Sequence, residues 1–69
     1  MMMYCYYISL GLASLHKITS DGNDVDQKPI KIGKFKNNDD AKNACITHYN
    51  KCCKMAFAAG REVPKIMFV

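Results

Sequence analysis

Residues 1–19 read MMMYCYYISLGLASLHKIT, and how this stretch is divided decides the fold. Residues 3–10 are rich in aromatic and other β-favouring side chains, which predicts a strand. Taken as a strand, it has no polar side. Met2, Tyr4, Tyr6, Ile8 and Leu10 alternate with Met1, Met3, Cys5, Tyr7 and Ser9, so both faces of the pleat carry apolar or aromatic groups. Gly11 reads as a kink, with LASLHKIT continuing the same strand beyond it.

Working outward, SDGNDVDQKP holds the Gly, Asn, Asp and Pro that break regular structure. After Pro29, IKIGKFK alternates tolerably as a second strand, with Ile30 and Ile32 on one face and Gly33 and Phe35 offset to the other. NNDD follows: Asn37 or Asn38 can cap a helix while Asp39 and Asp40 sit at the positive end of its dipole. The helix is expected to run to about Ala59, with Gly60 in the left-handed position that ends helices and Arg61 beside the negative end. EVPKIMFV closes the chain as a third strand with a proline near its start.

A helix of about 22 residues spans about 33 Å and a strand of eight about 26 Å, so one helix covers one face of such a sheet. The expectation is a single α+β domain over residues 1–69, ββαβ. Its three-stranded, mainly antiparallel sheet has order 2-1-3, with one long helix on one face. A crossover through the helix would set the third strand parallel to the second. The apolar first strand is then central. The lysine-rich and proline-bearing strands lie at the edges, where those residues discourage unwanted pairing.

Sixty-nine residues bury only about 60% of the surface that the unfolded chain exposes, so the core is thin. Four cysteines in so short a chain would suit a disulfide framework in a secreted protein. No Lys or Arg precedes the first apolar run, however, so a reduced, cytoplasmic setting is expected. That run is too short and too polar to span a bilayer, which takes about 20 apolar residues. A net charge of +4 permits an acidic protein surface or a nucleic acid as partner without choosing between them. It is also what solubility alone asks for.

The stretch IGKFKNNDDAKNACITHY runs glycine, phenylalanine, acidic first turn, Ala-Lys. In this it resembles the strand-to-helix join of small uncharacterised phage-encoded accessory proteins. The resemblance covers about a quarter of the chain and carries no functional residues over. It implies a viral protein, working in the host cytoplasm, that binds and disables a host or defence factor.

At about 100° per residue, Ala41, Ala44, Cys45, His48, Cys52, Met55, Ala56 and Ala59 form one helical stripe. Ile46, Tyr49, Cys53 and Phe57 form a second beside it. Together they exceed the single stripe that a surface helix needs. The small-residue stripe suits close packing on the sheet. The bulkier one is covered either by the segment over residues 11–28 or by another molecule, and exposed contiguous apolar patches usually mark contacts. Ile46, Tyr49, Cys53 and Phe57, with Tyr6 from the open sheet, are therefore the candidate partner-binding residues. The partner is a host protein, with a second copy of the chain also expected, since association enlarges a core too small to stand alone.

Other chemistry is weaker. Cys45, His48 and Cys52 recur at i, i+3 and i+7 with Cys5 in reach from the sheet, but three ligands on one straight helix rise too far to close comfortably on one zinc. Buried packing explains them better, and neither metal nor cofactor is expected. Asp21, Asp24 and Asp26 lack the order and closing glutamate of a calcium loop. No G-x-S-x-G or phosphate-cradling glycine loop is present, and His16 and His48 have no acid at a defined spacing; catalysis is not expected. The alternative function is nucleic-acid binding, with Lys31, Lys34 and Lys36 holding phosphates and Tyr4 stacking a base.

Overall fold

The computed structural model describes residues 2–19 and 28–69. The elements are β1 (Met2–Ser9), β2 (Leu12–Thr19), β3 (Ile30–Lys34), α1 (Asn38–Ala58) and β4 (Lys65–Phe68). They form an α+β domain with one helix on a mixed four-stranded sheet of order β3-β2-β1-β4. β1 pairs antiparallel with β2 and parallel with β4, and β2 pairs antiparallel with β3.

The expected three strands are four because Gly11 is a turn and not a kink. Ser9 faces Leu12 across the ladder, leaving Leu10 and Gly11 as a two-residue connection. Both have positive φ, 52° and 75°, as the turn that matches strand twist demands. LASLHKIT therefore folds back on the first strand instead of extending it. The added reversal makes β4 parallel to β1 and places β2 between β1 and β3, replacing the order 2-1-3. The lysine-rich and proline-preceded strands do occupy the two edges.

Gly11 also fastens the layers together. Its amide donates to the Asn38 side chain at 2.8 Å, and its carbonyl accepts from the Phe35 amide at 2.7 Å. The hairpin turn is thus tied to the junction where β3 gives way to α1. At that junction Asn37 caps the helix, its side-chain oxygen accepting the Asp40 amide at 2.8 Å, with Asp39 and Asp40 in the first turn.

The far end closes as the glycine implied. Gly60 has φ 70°; its amide donates to Phe57 and that of Arg61 to Ala56. This pair of bonds takes up two of the carbonyls that the helix end leaves free.

Between the layers the sheet supplies bulk and the helix supplies room. Tyr4, Tyr6, Ala13 and Leu15 are buried from below, and Ala41 and Cys45 from above. Strand alternation puts Met2, Tyr4, Tyr6 and Ile8 on the helix face, and Met2 and Ile8 pack against this cluster from its margin. Met3, Cys5 and Tyr7 take the opposite face. The small helical side chains let α1 approach the tyrosine rings closely, which suits a chain with little else to bury.

Candidate interaction surface

Tyr6 and His48 form the polar centre of the interface between layers. Tyr6 is fully buried, and a buried hydroxyl needs a partner. It finds Nδ1 of His48 at 2.8 Å, with the two rings edge to face. Burial, then Lys17 and Lys51, holds the His48 pKa below its ordinary 6.5, so at neutral pH the ring is uncharged. With its proton on Nε2, it accepts from the Tyr6 hydroxyl at Nδ1. Burial pushes the Tyr6 phenol well above its usual range, so it remains a donor.

This arrangement sets a pH dependence. The unfolded chain takes up a proton near the ordinary histidine value, while the folded chain resists it, so below about pH 6.5 the unfolded state binds more protons. Stability is full above that pH and falls as pH drops towards the depressed folded value. Thermal melts between pH 7.5 and about 5 are expected to show a falling midpoint that flattens in His48→Gln. An equal slope in the variant would remove His48 as its source.

Tyr4 and Tyr49 form a second aromatic pair, 6.3 Å apart and edge to face. The Tyr49 hydroxyl donates to the Pro64 carbonyl, latching the segment between α1 and β4. Burial, followed by nearby Cys52 for Tyr4 and by Cys53 for Tyr49, raises both phenol pKa values.

These contacts revise the expected surface. Tyr6 lies in the core and cannot touch a partner. Tyr49 is half-buried and serves the fold. Ile46 and Phe57 stay exposed, at 37% and 80%, with half-buried Cys53 between them on the helix. Val63, expected in the last strand, precedes β4, which begins at Lys65, and is 39% exposed. The segment over residues 11–28, one of the two alternatives for covering this stripe, contains β2, which lies in the sheet. Residues 20–27, with the aspartates of the DGNDVD turn, fall outside the described residues.

Tyr4 is also lost to the nucleic-acid alternative. It is 9% exposed, with the Lys17 ammonium 5.5 Å above its ring, so no base can stack there. Lys31, Lys34 and Lys36 are exposed at β3 and just beyond it. The accessible aromatic pair is on the other sheet face, where Tyr7 meets His16 at 4.7 Å.

The cysteines are dispersed. Cys5 belongs to the face away from the helix, paired in register with His16, so it cannot join Cys45, His48 and Cys52 around one ion. Among the described residues, no group of three or more His, Cys, Asp or Glu side chains is placed to hold a metal. Cys45 is fully buried, and burial pushes its thiol pKa up, the reverse of what a nucleophile needs. Cys52 lies 3.9 Å from both His48 nitrogens. It also lines a half-open cleft of about 330 Å³ with Met2, Tyr4, Lys17, Arg61 and Pro64.

No family model matches the chain, and neither the curated proteins nor the solved structures contain a match. Among the described residues, no helix is long and apolar enough to cross a membrane.

Proposed function

We propose that this protein is a non-catalytic protein-interaction module whose working surface is the outer flank of α1. The observation that carries the reading is the exposure of Phe57 and Ile46 on one side of a helix that packs on the sheet through Ala41 and Cys45. An aromatic ring left 80% exposed gives the fold little, whereas a partner that covers it gains a large apolar contact. Exposed lysines on the same helix, Lys42, Lys51 and Lys54, would steer an acidic surface towards it. If the target is a host or defence protein in the cytoplasm, as the resemblance of the strand-to-helix join implies, steric cover is the simplest way for such a module to inhibit it.

The test is capture from the natural host, with identification by mass spectrometry, comparing the native chain with Ile46→Ser/Phe57→Ser. The variant is expected to lose the captured protein while keeping its circular dichroism spectrum and melting point, because neither side chain belongs to the core cluster. Undiminished capture would overturn the assignment.

A second reading has one observation behind it. Tyr7 and His16 share a sheet face with Lys31, Lys34 and Lys65, and no carboxylate is among the strand residues paired there. Single-stranded nucleic acid uses aromatic platforms bordered by cations in this way. Binding of a labelled oligonucleotide that weakens steeply with salt, and is lost in Tyr7→Ser, would favour it.

A further inference from the structure

Among the described residues β4 ends the sheet, and its inner side pairs with β1. The Val69 amide donates to the Tyr6 carbonyl at 3.0 Å, and alternation along the strand turns the amide and carbonyl of Met67 the same way. Those of Ile66 and Phe68 consequently point outward, away from β1. The side chains follow the opposite logic to the backbone: Ile66 and Phe68 pair in register with Tyr4 and Tyr6 on the helix face, and Met67 with Cys5 on the other.

The two edges of the sheet are treated differently. β3 carries Lys31 and Lys34 around Gly33, and its ladder with β2 shifts register between Ala13 and Ser14; charge and irregularity both discourage pairing. β4 reads KIMF, with one lysine at its start. Helix α1 packs chiefly over β1, β2 and β3; towards this edge it extends Lys42, whose ammonium lies 5.2 Å above the Phe68 ring. Met67 is 42% and Phe68 37% exposed.

We propose that β4 pairs antiparallel with β4 of a second copy about a two-fold axis at Met67, making one continuous eight-stranded sheet. The edge is self-complementary in that register. Outward groups of Ile66 meet those of Phe68 on the other copy, giving four backbone hydrogen bonds. Ile66 then lies against the second copy's Phe68 on the helix face, an aliphatic-aromatic pair, and the two Met67 side chains meet on the other. Lys65 of each copy falls at opposite ends of the seam, so the lysines do not face one another. A heterologous strand would satisfy the same hydrogen bonds, but only a second copy meets its own apolar pairs in this register. The seam is a strand of four residues, about 13 Å long, in a molecule 15 Å through its thinnest axis. A cross-section bounded by those two lengths, on the order of 200 Å², is well below the roughly 800 Å² per partner of a standard stable interface, so the dimer is weak and concentration-dependent.

The experiment mixes isotope-labelled and unlabelled chains in equal amounts at millimolar concentration and records only contacts between copies. Expected are cross-peaks between the Met67 methyls and between Ile66 and the Phe68 ring, together with sedimentation that rises with concentration towards twice the 7.8 kDa of one chain. A synthetic chain N-methylated at the Phe68 amide should fold as before, because that group points outward, and should remain monomeric. A monomer at every concentration overturns the proposal, as does a dimer whose contacts arise from Phe57, Tyr7 or Leu12. Ile46→Ser/Phe57→Ser should leave this self-association unchanged, so failure here is separate from failure of the helix-flank reading.

Discussion

Gly11→Ala is expected to destabilise the domain by about 3–4 kcal/mol, the sum of left-handed backbone strain and two compromised hydrogen bonds. The residue has φ 75°, and a Cβ built on it would drive into the Phe35 carbonyl oxygen, far inside van der Waals contact. That oxygen is backbone and cannot swing aside as a side chain would. Relief requires the hairpin turn to withdraw, which disrupts the 2.7 Å bond to the Phe35 amide and the 2.8 Å bond to Asn38. Gly60 provides the control. Its φ of 70° is nearly the same, but nothing lies within 4 Å of a Cβ built there, so Gly60→Ala should cost only about 1 kcal/mol. Urea denaturation of the two variants separates close approach from backbone preference. Equal losses would mean that the turn does not press on the β3–α1 junction.

The same glycine shows where sequence reading ran out. Its neighbour Leu10 is not a residue that advertises a hairpin. A two-residue turn of this kind is signalled by Asn-Gly or Asp-Gly, whereas Leu-Gly inside an apolar run reads as continuing strand. Leu10 accepts φ 52° because eight paired positions between β1 and β2 outweigh its local preference. Tertiary pairing chose the conformation, and no local pattern displayed it. The helix was legible because its signals are local: Asn37 and Gly60 mark its two ends by side-chain and backbone chemistry that needs no distant partner.

The candidate surface divided along the same line. Periodicity identified the two helical stripes, and Ala41, Cys45 and Ala56 on the first are buried, whereas Met55 and Ala59 at its far end are exposed. Periodicity gives an angle around the helix axis and says nothing of what lies beside it. Tyr49 and Phe57 belong to one stripe, yet Tyr49 meets Tyr4 and Pro64 while Phe57 meets open solvent. Tyr6 failed as a surface residue for a related reason. Either face of β1 could have taken the helix, and the opposite choice would have exposed Tyr6 and buried Tyr7. The face with Tyr6 carries Tyr4 as well, and its hydroxyl reaches a histidine that the helix brings over it.

Leu15→Ala is expected to cost about 3 kcal/mol, within the range found for truncating a fully buried leucine. Leu15 is wholly inaccessible. It lies on β2 between Tyr6 on one side and Ile30 on the other, beneath the helix at the middle of the sheet. The neighbours cannot close the gap. Tyr6 is fixed by its bond to His48, and Ala41 and Cys45 above it are too short to follow. A domain of this length has only about 3–5 kcal/mol from its core, so the variant should retain at most about 2 kcal/mol of stability. Leu15→Met keeps the volume and should cost less than about 1.5 kcal/mol, which separates lost packing from a general intolerance of change. Amide exchange supplies the second measurement: in Leu15→Ala, protection should collapse together across β1, β2 and α1. Loss confined to β2 would show that the two layers do not share one core.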